Sequence, residues 1–137
     1  MTVIVNIYAE ENNNKCFGST KFSQVTVRTS PNTQSYAKWC FLKKHEPVQI
    51  LQIFENWREI QDVNGDTGWV HLSCLSKKRF VITTKTTNLY KTPSSATIIA
   101  NIKSNVRCQL IKQTKSWCKI SVKQYTGWVA TDSLWGI

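Results

Sequence analysis

No stretch of the 137 residues approaches the roughly 20 consecutive apolar positions of a membrane-spanning helix. No window of about 11 residues or more sustains a helical apolar period, so helix is expected to be scarce. There is no Cys-x-x-Cys, no glycine-rich phosphate loop, no nucleophile triad and no carboxylate pair at a catalytic spacing. Histidine occurs twice, at His45 and His71, which is thin material for a base beside a cysteine nucleophile. Acidic side chains are few as well. Eight Asp and Glu stand against 18 Lys and Arg, a formal net charge of +10 that favours an anionic partner such as a cell-wall polymer, a nucleic acid or lipid headgroups.

What is present is ample for a core. The chain is 41% hydrophobic and has six tryptophans, five phenylalanines and four tyrosines, a composition that excludes disorder. Its length suits one ordinary domain or two small ones and is short for a cofactor-bearing α/β enzyme. The apolar start, Met1 to Ala9, precedes Glu10-Glu11 but lacks a basic head and is shorter than a secretory signal of about 15–30 residues. Residues 1–14 are therefore expected to be an N-terminal extension or a trimmed signal remnant. Five cysteines leave at least one unpaired; Cys108 with Cys118, and Cys40 with Cys74, fit either disulfides or thiols, and Cys16 is the fifth.

The chain repeats itself. Asn56-Trp57-Arg58-Glu59-Ile60, then Gly68-Trp69-Val70 and Leu75, recur as Ser116-Trp117-Cys118-Lys119-Ile120, then Gly127-Trp128-Val129 and Leu134. Val27-Arg28-Thr29-Ser30-Pro31 answers Leu89-Tyr90-Lys91-Thr92-Pro93 at an offset of 62, and Val48-Gln49-Ile50 answers Val106-Arg107-Cys108 at 58. Each copy reads as short alternating strands, with Asn64-Gly65 a two-residue hairpin signal in the first and Lys123-Gln124 a weaker one in the second. The class is all-β. The basic run Ser76-Lys77-Lys78-Arg79-Phe80 reads as a linker, giving a first module over 15–80 and a second over 81–137. Modules of about 60 residues are marginal alone, so the two are expected to pack together, with Phe80 and Trp135 at the seam. Charge is uneven. Through Val81 there are 10 basic and 7 acidic residues, and from Ile82 onward 8 basic and 1 acidic.

An aliphatic-Arg near a Pro turn, alternation, a Trp-x-x-aliphatic strand and Gly-Trp-Val together resemble the bacterial SH3-like (SH3b) family. Residues 25–75 carry the resemblance clearly, with Ser30 where the family usually has glycine. Residues 89–134 carry it more weakly, with Lys91 taken to stand for the arginine. The paired copies are similar to tandem SH3-like proteins exported by Gram-negative bacteria. The resemblance implies two small, strongly bent β-barrels, binding rather than catalysis, and a periplasmic or otherwise exported location; the residues themselves leave the cytoplasm open.

Candidate site residues follow from residue type and place. Trp57, Trp69, Trp117 and Trp128 fill space by default, and where partly exposed they make a platform for a peptide or sugar. Tyr36 and Trp39 read as an aromatic pair in a loop, where contact is the better assignment. Arg28 is expected to fix its loop. His71 faces no structural demand, since its repeat mate is Ala130. Tyr36, Trp39, Trp57 and His71 form the expected groove of the first module, and Tyr90, Trp117 and Tyr125 that of the second. His71-x-x-Cys74 has too few partners for zinc, so neither metal nor cofactor is expected. The expected function is noncatalytic binding of a peptidoglycan stem peptide or a protein peptide in the cell envelope. An anionic polymer could bind through the lysines between Lys103 and Lys123. The competing readings are a basic nucleic-acid-binding β-barrel and an accessory module of a cell-wall hydrolase.

Overall fold

The computed structural model of the chain describes residues 15–137; the expectation for residues 1–14 lies outside them. The chain divides into two compact units between Lys78 and Arg79. The first holds β1 (Cys16–Thr20), β2 (Val25–Arg28), β3 (Ala37–Phe41), β4 (Pro47–Phe54), β5 (Trp57–Gln61), β6 (Thr67–His71) and β7 (Leu75–Ser76). The second holds β8 (Phe80–Thr83), β9 (Thr87–Tyr90), β10 (Ile98–Ile102), β11 (Arg107–Gln113), β12 (Trp117–Val122), β13 (Tyr125–Ala130) and β14 (Leu134–Trp135). Single 3₁₀ turns, Leu72–Cys74 and Thr131–Ser133, precede the last strand of each.

The two sheets have one topology. Their orders are β3-β2-β6-β5-β4-β1-β7 and β10-β9-β13-β12-β11-β8-β14, each strand matching the one seven places on. Bulges recur at matched places, between Ile50 and Gln52 on β4 and between Leu110 and Lys112 on β11. In the first unit Val25, Val27, Val48, Ile60 and Val70 form the core, and Trp39 and Phe41 from one edge strand and Leu75 from the other edge each pack against it. A sheet whose two edges pack on one core is rolled, as an SH3-like barrel is. In the second unit Leu89, Cys108, Ile120 and Val129 take the places of Val27, Val48, Ile60 and Val70, and Cys118, where the first unit has Arg58, joins them in the core. All-β class and tandem SH3-like modules are thus what the chain adopts.

The glycine of each Gly-Trp-Val is needed for close approach. A Cβ on Gly68 would strike Val27 Cγ1, and one on Gly127 would lie 2.6 Å from the Tyr90 carbonyl oxygen. Strand β6 can therefore lie on β2, and β13 on β9, only with no side chain at that point.

Three details differ from the sequence reading. Gly18 pairs with Val48 and Val81 with Cys108, so Val48 matches Cys108 at an offset of 60, and Val106 matches Glu46. A slip of two residues leaves the in-and-out alternation intact, which is why the sequence allowed it. Arg28 and Tyr90 each pair with the middle tryptophan of Gly-Trp-Val, so Tyr90, not Lys91, stands in the arginine's place. Asn64-Gly65 is not a two-residue turn. Gly65 N–H donates to the Asp62 carbonyl and Asp62 N–H to that of Asp66, while buried Asp62 Oδ1 accepts from the N–H groups of Asn64 and Asp66, each at 3.0 Å. The two-residue turns are Glu55-Asn56, between the paired Phe54 and Trp57, and Lys123-Gln124, between the paired Val122 and Tyr125. Glu55 and Lys123 take positive φ there.

One buried threonine organises each unit. Thr20 Oγ1 donates to the Lys43 carbonyl and accepts from Glu46 N–H, both at 2.9 Å. Its own N–H donates to the Glu46 carbonyl, and its carbonyl accepts from His45 N–H. Thr83 repeats all four bonds, to Lys103, Val106 and Asn105. His45 and Asn105, at the centre of each clamped turn, both have positive φ, 71° and 66°. Thr20→Val keeps the shape but strands a buried donor and acceptor. It is expected to cost about 1–3 kcal/mol in urea unfolding, and Thr83→Val the same.

Candidate functional site

Alternation along the strands gives each unit an outer face opposite its core. On the first unit the register sets Gln52, Glu59, Trp69 and Arg28 in one row across β4, β5, β6 and β2. Gln52 Nε2 donates to Glu59 Oε1 at 2.8 Å. Arg28 Nη1 donates to the Ser35 carbonyl at 2.9 Å and so holds the loop before β3, its expected role. In the adjoining row Trp57 pairs directly with His71, their rings edge-on at 5.3 Å and 88°. The imidazole is fixed. Ser73 N–H donates to His71 Nδ1 at 3.1 Å, capping the 3₁₀ turn, so Nδ1 is an acceptor and the neutral ring carries its proton on Nε2.

The expected first-module residues do not make one cluster. Trp57 and His71 come together. Tyr36 stands at the foot of β3, 85% exposed, with its carbonyl accepting from Thr29 N–H. Trp39 belongs to strand β3 rather than to a loop; it pairs with fully buried Val27 and meets Phe41 edge-on at 5.7 Å. Its ring packs against the core, on the side away from Trp57 and His71.

The second unit builds the same face from different residues. The row reads Lys112, Lys119, Trp128 and Tyr90, so two lysines lie opposite each other where the first unit has a hydrogen-bonded Gln–Glu pair. Trp117 again has an edge-on partner, but it is Tyr90, at 5.7 Å and 89°. Tyr90 Oη accepts from Asn88 Nδ2 at 3.3 Å. Tyr125 is apart, at the far end of β13 beside the two-residue turn, 42% exposed. Asp132, the single acid from Ile82 onward, lies 3.9 Å from exposed Lys85 and leaves the Lys112–Lys119 pair uncompensated.

Sequence reasoning missed an apolar cavity of about 610 Å³ in the first unit, bounded by Phe17, Ile50, Ile53, Arg58, Leu72 and Leu75. None of the expected site residues lines it. Its signal was the unpaired apolar surface of Ile53 and Leu72, each about two-fifths exposed.

Residues 21–77 match a family model described as Bacterial SH3 domain, and residues 85–134 match a second model of the same description. The chain belongs to the bacterial SH3 family, as a tandem of two such domains. Over 123 residues it is 27% identical to the Bacillus subtilis (strain 168) protein named "Putative N-acetylmuramoyl-L-alanine amidase YrvJ", a match covering 80% of this chain and 23% of that protein. Among solved structures it is similar to NlpC2 of Trichomonas vaginalis (18% identity, TM-score 0.42, 89% of this chain and 48% of that one). It is likewise similar to NlpC1 of the same organism (17%, TM-score 0.43, 98% and 50%). The chain thus spans about a quarter of the curated relative and about half of these structures.

Within these bacterial SH3 modules the buried thiols are poor nucleophiles. Burial pushes the Cys108 thiol up to about 11. Burial also raises Cys118, against a smaller lowering by its contact with Thr131 and by the charge of Arg79. No histidine lies in their unit, so nothing there draws off the proton. All five cysteines are free thiols in the structure. Alkylation of native protein at pH 8, read by peptide mass spectrometry, is expected to modify Cys16, Cys40 and Cys74 well before Cys108 and Cys118. The latter two react at comparable rates only once urea unfolds the chain.

Proposed function

We propose that the protein is a noncatalytic, exported binding module of the bacterial cell wall, whose first domain takes a peptidoglycan stem peptide or a protein peptide. The edge-on Trp57–His71 pair carries this reading. It offers a flat aromatic surface next to an imidazole whose Nε2–H is set by the Ser73 bond, a donor suited to a peptide carbonyl. Tyr36, exposed at the foot of β3 on the loop that Arg28 fixes, stands apart from that pair and offers a separate contact. Similarity to an amidase supports a cell-wall setting, and the small share of that protein covered suits an accessory module of a hydrolase.

A second reading concerns the second domain. The Lys112–Lys119 pair in the row of Trp128 and Tyr90, and the contact of Tyr90 with Trp117 of the next row, form an aromatic and cationic face of the kind that grips an anionic polymer. The cell-wall setting favours an anionic glycan over nucleic acid as its partner.

Titrating purified muropeptides and short oligonucleotides into isotope-labelled protein, with amide shifts mapped by residue, separates these readings. Muropeptide is expected to shift residues 57–59 and 69–73, with weak dependence on salt. Trp57→Ala and His71→Ala each weaken binding by about tenfold, the loss of roughly one anchoring contact. Shifts confined to the second domain that collapse as salt rises contradict the peptide reading and favour the polymer.

A further inference from the structure

The threonine clamp of the first domain fixes more than a turn. Thr20 holds Lys43, His45 and Glu46 through the four bonds described above, which leaves Lys44 at the apex of a pinned turn. Two more lysines are held beside it. Lys21 follows the clamp residue; its N–H donates to the Cys74 carbonyl at 2.9 Å, and its ammonium sits 5.8 Å from the centre of the Phe22 ring. Lys78 is fixed at both backbone groups, its N–H donating to Ser76 Oγ at 3.1 Å and its carbonyl accepting from Ser19 Oγ at 2.8 Å. Together with Thr20, Phe22, His45 and Ser76 these lysines line a cavity of about 290 Å³, and none of the seven lining residues is acidic.

The sister domain serves as an internal control. It keeps the clamp bond for bond, yet where the first domain has Lys21, Lys44, His45 and Lys78 it has Thr84, Ser104, Asn105 and Ile137. The fold therefore makes no demand for positive charge here. Three lysines line one concavity with no acid among its lining residues, so their like charges disfavour one another, a cost that a bound anion reduces. Burial, and then the charges of Lys44 and Lys78, lower the pKa of His45, so the imidazole adds no charge at neutral pH. The Thr20 hydroxyl is already committed. Ser76 Oγ accepts from Lys78 and keeps its own proton to donate.

We infer that this cavity is an anion site for a phosphoryl group, held by Lys21, Lys44 and Lys78 with Ser76 as a neutral donor. Three lysines around one concavity suit a dianion with oxygens on several sides better than a single carboxylate. A volume near the lower end of small-ligand pockets, about 300 Å³, admits a phosphate and a small substituent, for which half-exposed Phe22 forms an apolar lip. The phosphoryl group is either free phosphate or the head of a phosphorylated polyol.

The test uses the full isotope-labelled chain, titrated at constant ionic strength with inorganic phosphate, glycerol 3-phosphate and, as a control, acetate. Saturable shifts are expected at residues 20–22, 43–46 and 76–78 with both phosphates and not with acetate. Tighter binding of glycerol 3-phosphate assigns the polyol source, and equal binding assigns phosphate itself. The triple variant Lys21→Thr, Lys44→Ser, Lys78→Ile carries residues that the sister domain already tolerates, and retained amide dispersion shows that it folds. It is expected to weaken phosphate binding at least tenfold, the effect of removing three near charges. Unchanged affinity in this variant, no saturation, or shifts spread equally over lysines such as Lys112 and Lys119 overturns the assignment.

Discussion

Each domain depends on one buried threonine that ties the end of its first strand to the turn before its fourth. Thr20 is fully buried and Thr83 nearly so, and each uses its hydroxyl as both donor and acceptor and its backbone in both directions. A turn with a left-handed residue at its centre is costly for His45 and Asn105, neither of which is glycine. Four bonds at one residue outweigh that cost and fix where β4 and β11 begin, and therefore which of their residues face the core.

With the interior settled in this way, the outer face is free to change. The core exchanges Val48 for Cys108 and keeps Ile60 as Ile120, changes of small volume on positions that are almost wholly buried. Across the outer row Arg28 becomes Tyr90, Glu59 becomes Lys119 and Gln52 becomes Lys112, changes of charge and of kind. The middle tryptophan alone persists. The aromatic partner of the first tryptophan also moves, from His71 on the adjacent strand β6 to Tyr90 on β9, one strand further across the sheet. Two copies of one scaffold thus present chemically distinct surfaces. The same logic separates the clamped turn at Lys44, with its basic surroundings, from its neutral counterpart at Ser104.

The duplication and the all-β class were legible because the residues that report them carry strict constraints. Gly68 and Gly127 cannot accept a Cβ, and the tryptophans beside them recur at nearly fixed spacing. The clamp was not legible, since a threonine at the end of a short strand looks like any β-branched residue and its partners lie 23–26 positions away. Trp39 was misplaced because the stretch from Pro31 to Val48 has no clean alternation, its strand being broken by a bulge opposite Val27 and Arg28. The offset of 62 already sets Tyr90 against Arg28, the match that strand register bears out, although the family pattern reads its arginine onto Lys91. The sequence grouped Trp57 with His71 and Tyr90 with Trp117; strand register pairs the first two directly, whereas Tyr90 and Trp117 meet across the intervening strand β13. It could not show that Tyr36 and Tyr125 stand apart from them.

Amide hydrogen exchange under native conditions tests most directly the claim that the clamps organise both domains. The N–H groups of Glu46 and Val106, each bonded to a buried threonine hydroxyl, are expected to exchange as slowly as the core strand amides of their own domain and to be released only with its global unfolding. Exchange of either at the rate of an ordinary surface loop, while the core strands stay protected, would contradict the account.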